Sequence, residues 1–214
     1  KEEAYRLATR LSARARIAGA VNTLTFNAGD IVGDNTDGEG LWRDLSRNLG
    51  QPLAGQRILL LGAGGAARGV VAPLLERAPE RLTIANRTPA KAQRLAELFA
   101  AGGAVSGVAY ADLAGQRFDL VINATAASLA GELPPLPAGI FAADSLAYDM
   151  MYGRGETPFL AFARQNGAAR GSDGLGMLVE QAAESFRLWR GVRPSTQELI
   201  DRLRAAGTPT ANGE

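Results

Sequence analysis

Gly62, Ala63, Gly64, Gly65 and Ala66 follow an apolar run at 58–61 and open a helical stretch. They fit Gly-x-Gly-x-x-Gly/Ala, with Ala67 as the last small residue. The chemistry of that pattern is anion binding by main chain. Gly62 permits the tight turn, Gly64 lets backbone approach a pyrophosphate, and the helix N-terminus offers unpaired N–H groups. Taken alone, the loop also reads as a glycine-rich turn without a ligand. About twenty residues on, a site that favours NAD carries an acid for the ribose hydroxyls, whereas this chain has Asn86-Arg87-Thr88. No carboxylate falls between Ile84 and Gln93, and Arg87, Thr88 and Lys91 are donors suited to a 2′-phosphate. Cations at a helix start oppose its dipole, so a bound anion explains them better than a solvated surface does. The expected cofactor is NADP.

The chain has no histidine and no cysteine. Thiolate nucleophiles, Ser-His-Asp triads and Cys/His zinc sites are therefore excluded, no metal site is expected, and proton transfer falls to Lys, Asp, Glu or Tyr. With 23 basic and 22 acidic residues, no bulk field favours nucleic acid or an anionic membrane. No apolar run reaches the length of a membrane span and no leader pattern is present. The expected setting is the cytoplasm, with a small-molecule partner.

From residue 57 onward, short apolar runs alternate with helical ones, the pattern of βαβ units and a parallel sheet. LTIA, AVSGVAY, FDLVINAT and SLAYDM read as strands after the first at 58–61. Helices are expected from Ala66, with Pro73 bending it, from Thr88-Pro89, from Thr157-Pro158 to Gly167, and through GMLVEQAAESFRLWRG. A last helix starts at STQE, a capping box from Ser195 to Glu198. Ahead of these units the pattern differs. EEAYRLATRLSARARIAGA is helical in composition without a capping residue before it, AVNTLTF and IVGDN form a hairpin, and Thr36 or Asp37 caps a helix closed by Gly50. GQPLAGQ reads as a linker. The expected fold class is α/β: a Rossmann-like doubly wound parallel sheet over 51–191, an incomplete α/β substrate domain over 1–50, and a terminal helix with a frayed tail over 192–214.

KEEA, AGAVNTL, GDNTDG, LLGAGGAARG, NRT, INAT, YDMMY and DGLGMLVEQAA, in that order from Lys1 to about Gly191, resemble the shikimate dehydrogenase family. The resemblance implies NADPH-dependent, reversible reduction of 3-dehydroshikimate to shikimate in aromatic amino-acid biosynthesis. It implies Lys1 and Asp37 as the catalytic pair, Asn22, Asp37, Tyr152 and Gln181 as substrate contacts, and Met150 and Gly174 beside the nicotinamide. Residues 62–66 would hold the pyrophosphate, and Asn86, Arg87, Thr88 and Lys91 the adenosine phosphate. Without the resemblance, Lys1 reads as a terminal charge, Asp37 as a helix cap, Asn22 as a turn former, Gln181 as a neutral helix face, and Met150, Met151 and Met177 as core filling.

Two departures accompany the match. Relatives extend further at the N-terminus with a segment that holds the substrate carboxylate, so the chain is expected to be a fragment that binds NADP and turns over shikimate poorly. Ala126 and Ala127 also replace serines after INAT, which alters the nicotinamide-side loop. The alternatives are an NAD-using quinate/shikimate dehydrogenase and a non-catalytic NADP-binding module; as an assembly, the chain is expected to be a monomer or homodimer.

Overall fold

A computed structural model describes residues 1–125, 127, 132–153 and 155–207. Ala126 and the tail at 208–214 lie outside the described residues. The opening segment is not one helix, contrary to its composition. α1 (Glu2–Leu7) stops, β1 (Arg10–Leu11) pairs with a strand, and α2 (Ala13–Ala18) begins anew. The break follows from Ser12, whose Oγ accepts from the Ala15 N–H at 3.1 Å and caps α2. Gly19, in the left-handed region at φ 65°, ends it.

The hairpin is present as β2 (Thr23–Asn27) and β3 (Asp30–Asp34), and β1 joins it parallel to β3, giving a three-stranded sheet in the order β1-β3-β2. α3 (Asp37–Arg43) follows and continues as one π-helical turn at Asp44–Asn48. Neither Thr36 nor Asp37 caps it by side chain. Asn35 does so, its Oδ1 accepting from the Asp37 N–H at 3.0 Å.

The second sheet is built from β4 (Arg57–Leu61), β5 (Arg81–Ala85), β6 (Val105–Val108), β7 (Phe118–Asn123), β8 (Phe141–Asp149) and β9 (Arg170–Asp173). All pairs are parallel, in the order β6-β5-β4-β7-β8-β9. That is the doubly wound order, and its direction reverses between β4 and β7. Helices α4 (Gly65–Leu75), α5 (Pro89–Phe99), α6 (Pro158–Gln165) and α7 (Leu175–Arg190) connect or flank the strands, and α8 (Gln197–Ala206) closes the described chain. None of the described helices is long and apolar enough to cross a membrane.

Both faces of the central strands are buried, as continuous apolar runs require. Ile58 and Leu60 pack with Val70, Leu74, Ile84 and Ile122 on one side, while Leu59 and Leu61 pack with Phe118, Val121 and Phe159 on the other. β9 was not expected, because Arg-Gly-Ser-Asp has no strand propensity; it forms by pairing its backbone with residues 146–149 of β8. The expected capping box at α8 is also absent. Thr196, not Ser195, holds the N-cap position, and its side chain makes no cap hydrogen bond. Its hydroxyl is committed elsewhere, donating to Glu180 Oε1 at 2.7 Å. Thr88 likewise occupies an N-cap without a side-chain cap bond, whereas Thr157 caps α6 by accepting from the Leu160 N–H at 3.3 Å.

α3 and α7 cross at Gly40. A Cβ there would lie 2.7 Å from Gln181 Cβ and 2.9 Å from both Gln181 N and Met177 O. Since the obstacles include main chain, Gly40→Ala should lower stability by about 1–3 kcal/mol through overpacking, read as a fall in the denaturation midpoint; an unchanged midpoint would mean that the two helices part without cost.

Candidate active site

The carboxyl ends of β4 and β7 meet at the switch point, with Leu61 paired to Asn123. Gly62 follows with φ 104°, a conformation in which a side chain is strained, and a Cβ would lie 3.1 Å from Thr125 Cγ2. Gly64, Gly65 and Ala66 are exposed, and nothing lies within 4 Å of where a Cβ of Gly64 or Gly65 would stand. Ala67 is fully buried against the sheet. The loop is thus a backbone cradle opening on free space at a helix N-terminus, and a dinucleotide pyrophosphate fits it. At the end of β5, Arg87, Thr88 and Lys91 are exposed around the start of α5, and Asn86 Nδ2 donates to the Thr88 carbonyl at 3.0 Å. The turn from Asn86 to Lys91 holds no acid to compete for a phosphate.

Asn123 and Asp149, both fully buried, organise the other wall. Asn123 Nδ2 donates to Asp149 Oδ1 at 3.1 Å, and Asn123 Oδ1 accepts from Thr125 Oγ1 at 2.7 Å. Asp149 also accepts from the Met151 N–H at 3.1 Å and from Thr157 Oγ1 at 2.7 Å. This buried pair fixes the turns that carry Thr125, Met150, Met151 and Ala127. Gly174 packs so closely on the Met150 carbonyl that no side chain would fit between them.

A cleft of about 480 Å³ lies between these turns and the first sheet. It brings together Lys1, Asn22, Asp37, Ala66, Met150, Tyr152, Gly174 and Gln181. Every residue expected to contact substrate or nicotinamide therefore lines one cavity. Lys1 Nζ is 2.5 Å from Asp37 Oδ2; the lysine side chain is 53% exposed and the aspartate 12%. Asn22 Nδ2 lies 2.9 Å from Asp37 Oδ1, 2.9 Å from Thr36 Oγ1 and 3.2 Å from Gln181 Oε1. One amide has two hydrogens, so three acceptors leave a surplus of lone pairs. Such a site suits a ligand rich in hydroxyl donors.

Thr23 and Ser185 carry no signal in the sequence, and Thr36, expected only as a helix cap, belongs to the polar network of the site. Thr36 is fully buried; its N–H donates to Asn22 Oδ1 at 3.0 Å, and its hydroxyl lies 3.2 Å from Ser185 Oγ, which in turn is 2.6 Å from Thr23 Oγ1. Thr36 sits inside the DNTD run, so its type was visible although its contacts were not. Met177 is core filling as read, yet it also forms part of the cleft wall.

α7 carries Gln181 and, one turn on, the buried Glu184. Glu184 accepts from Arg14 Nη1 at 3.2 Å, Arg187 Nη2 at 2.7 Å and Arg193 Nη1 at 2.9 Å. Arg14 also grips Asp34 through Nε at 2.6 Å and Nη2 at 3.0 Å. The hydrogen bond from Arg187, against the cost of burial and with help from Arg14, holds the Glu184 carboxyl down at about 2. A second buried acid, Asp44, is pushed up by burial; Tyr148 donates to it at 2.6 Å, and Tyr148 is itself raised well above its ordinary range by burial.

Family models match the chain as Shikimate / quinate 5-dehydrogenase over residues 44–130 and as Shikimate 5′-dehydrogenase C-terminal domain over residues 174–204. Among curated relatives, the shikimate dehydrogenase (NADP(+)) of Nitrosospira multiformis is 65% identical over 210 residues, 98% of this chain and 76% of the relative. That of Dechloromonas aromatica is 65% identical over 205 residues, 96% and 75%. Among solved structures, an Ael1 enzyme from Pseudomonas putida superposes with a TM-score of 0.88 at 54% identity, covering 95% of this chain and 74% of the other. Shikimate 5-dehydrogenase from Thermus thermophilus, in complex with NADP(H) and shikimate, gives 0.81 at 36% identity, covering 96% and 76%.

The lowered Glu184 carboxyl sets a pH window. Its stabilising charge is fully present above pH 4.5 and is lost as pH falls toward 2, and a drop of that size corresponds to about 3 kcal/mol. Glu184→Gln should lower stability at pH 7 by a similar amount and flatten the acid limb of the stability profile; an unchanged acid limb in urea titrations would show that the clamp carries no pH-linked stability.

Proposed function

Because this chain belongs to the shikimate dehydrogenase family, we propose that Lys1 and Asp37 move the proton, and that Asn22, Tyr152 and Gln181 hold the substrate, in an NADPH-linked reduction of 3-dehydroshikimate to shikimate. The activity is that of an NADP-dependent oxidoreductase acting on a CH–OH group, within aromatic amino-acid biosynthesis. The observation that carries the assignment of roles is the 2.5 Å Lys1–Asp37 pair in the same cleft as Met150 and Gly174.

When bound, NADPH supplies the hydride that converts the ring carbonyl to a secondary alcohol. In that direction the Lys1 ammonium gives a proton to the oxygen at the former carbonyl carbon, and in the reverse direction the amine takes it back. Asp37 holds the Nζ in place and is itself held by Asn22 Nδ2. The free lone pairs of Asp37 and Gln181 accept from the substrate's hydroxyls, which fix the ring against rotation. Gly62, Ala63, Gly64, Gly65 and Ala66 are assigned to the pyrophosphate, Asn86, Arg87, Thr88 and Lys91 to the adenosine phosphate, and Met150 and Gly174 to the nicotinamide. Two separate sheets, with the cleft between their residues, support a division of the chain near residue 50.

Lys1→Met should reduce kcat for 3-dehydroshikimate about 10²- to 10⁴-fold while NADP affinity stays within about twofold; retained kcat would remove Lys1 from the chemistry. Arg87→Ala should weaken NADP at least about tenfold more than NAD in equilibrium titrations, and an equal loss for both would overturn the assignment of the 2′-phosphate.

A further inference from the structure

The second face of the large sheet is unevenly covered. Register places Arg57 beside Arg81, Leu59 beside Thr83 beside Ser106, and Leu61 beside Ala85 beside Val108. In a doubly wound sheet a helix covers each such face, but the described connection from β6 to β7 contains only the 3₁₀ turn Tyr110–Leu113. Tyr110 and Leu113 pack with Leu61, Ala85 and Val108, toward the carboxyl ends of the strands. Toward the amino ends a trough of about 580 Å³ remains, lined by Arg57, Arg81, Thr83, Ser106, Gln116 and Arg117 among others.

Among the described residues, three arginines and no acid line this space. Arg57 is held in one orientation by Asp119, through Nε at 2.9 Å and Nη2 at 2.6 Å, with the acid set outside the lining. Arg81 lies over the Phe118 ring at 5.8 Å and reaches Glu80 only at 3.6 Å. Its Nε is buried and has no acceptor among the described residues. Arg117 is exposed. Thr83 and Ser106 bring hydroxyls to strand positions where an ordinary sheet face carries apolar side chains.

We propose that this trough binds a small phosphomonoester dianion. Guanidinium groups make charge-assisted, paired hydrogen bonds to phosphate oxygens, and the Thr83 and Ser106 hydroxyls add donors; Gln116 Nε2 donates to the Asp112 carbonyl at 2.8 Å and keeps one hydrogen for a ligand. The volume accommodates a group of sugar-phosphate size. Among the described residues no aromatic side chain lines the trough, which distinguishes its ligand from a nucleotide that needs a stacking surface. Arg57 and Arg81 are the first residues of β4 and β5, whereas the phosphate loop follows the last residue of β4, so both sites can be filled at once.

The test is an NMR titration of the protein saturated with NADP⁺, using glycerol 3-phosphate in one arm and inorganic phosphate in the other. Saturable shifts are expected at the Ser106 and Gln116 amides and at the Arg81 Nε–H, with glycerol 3-phosphate binding at least about threefold tighter than phosphate. Arg81→Gln should weaken that binding at least about tenfold and leave NADP⁺ affinity unchanged. Ser106→Asp, at an exposed position, should do the same and serves if the first variant does not fold. Shifts that do not saturate, or that both variants leave intact, mean an adventitious ion only and overturn the proposal. Equal binding of inorganic phosphate assigns the trough to the free ion and overturns the ester.

Discussion

A carboxylate withdrawn from water survives as an anion only when cations reach it, and Glu184 is met by three guanidinium groups from three parts of the chain. Arg187 is on its own helix, Arg193 follows that helix, and Arg14 comes from α2. Through Arg14 the clamp extends to Asp34, whose Oδ1 also accepts from Ser12 Oγ at 2.6 Å and from the Asn35 N–H at 2.7 Å. Asn35 in turn caps the helix that begins at Asp37. The aspartate of the proposed proton relay and Gln181, one turn before Glu184, thus take their relative position from one buried charge.

Glu180 repeats the arrangement one turn away, linking Arg193, Thr196 and Asn48. Together the two acids tie α8, α7 and the π-helical turn to the first sheet with polar contacts, where the large sheet relies on apolar layers. The division of labour is physical. A parallel sheet buried on both faces tolerates little polarity, whereas a substrate cleft for a polyhydroxylated ring needs donors and acceptors held at fixed angles. Polar groups held by charge can be oriented in ways that leucines cannot.

The large sheet was legible because its strands carry continuous apolar runs such as 58–61 and 120–122, and the phosphate loop because its glycines follow one of them. The residues that line the cleft were brought together in advance by ordered motifs, not by their own types; Lys1 and Asn22 carry no local signal. What escaped depends on contacts distant in sequence. β9 exists only because β8 offers a free edge, and β1, between the two short opening helices, is a strand only by its pairing with β3. Ser195 and Glu198 form a plausible capping box that loses to Thr196, whose hydroxyl is drawn away by Glu180. Thr36 reads as no more than a helix cap because a threonine in a turn looks like any other until Asn22 and Ser185 are beside it.

β9 has a further consequence for how copies of this protein behave when crowded. A terminal strand exposes a row of unpaired backbone groups, a template on which another chain can add a strand and begin aggregation. This one is four residues long, polar throughout and charged at both ends, with Arg170 bonded to the Leu49 carbonyl at 2.8 Å and Asp173 within 3.6 Å of Arg204. A foreign strand would have to displace both charged neighbours to gain very few hydrogen bonds. The same short, polar sequence that hid the strand from view also keeps the sheet from growing past it.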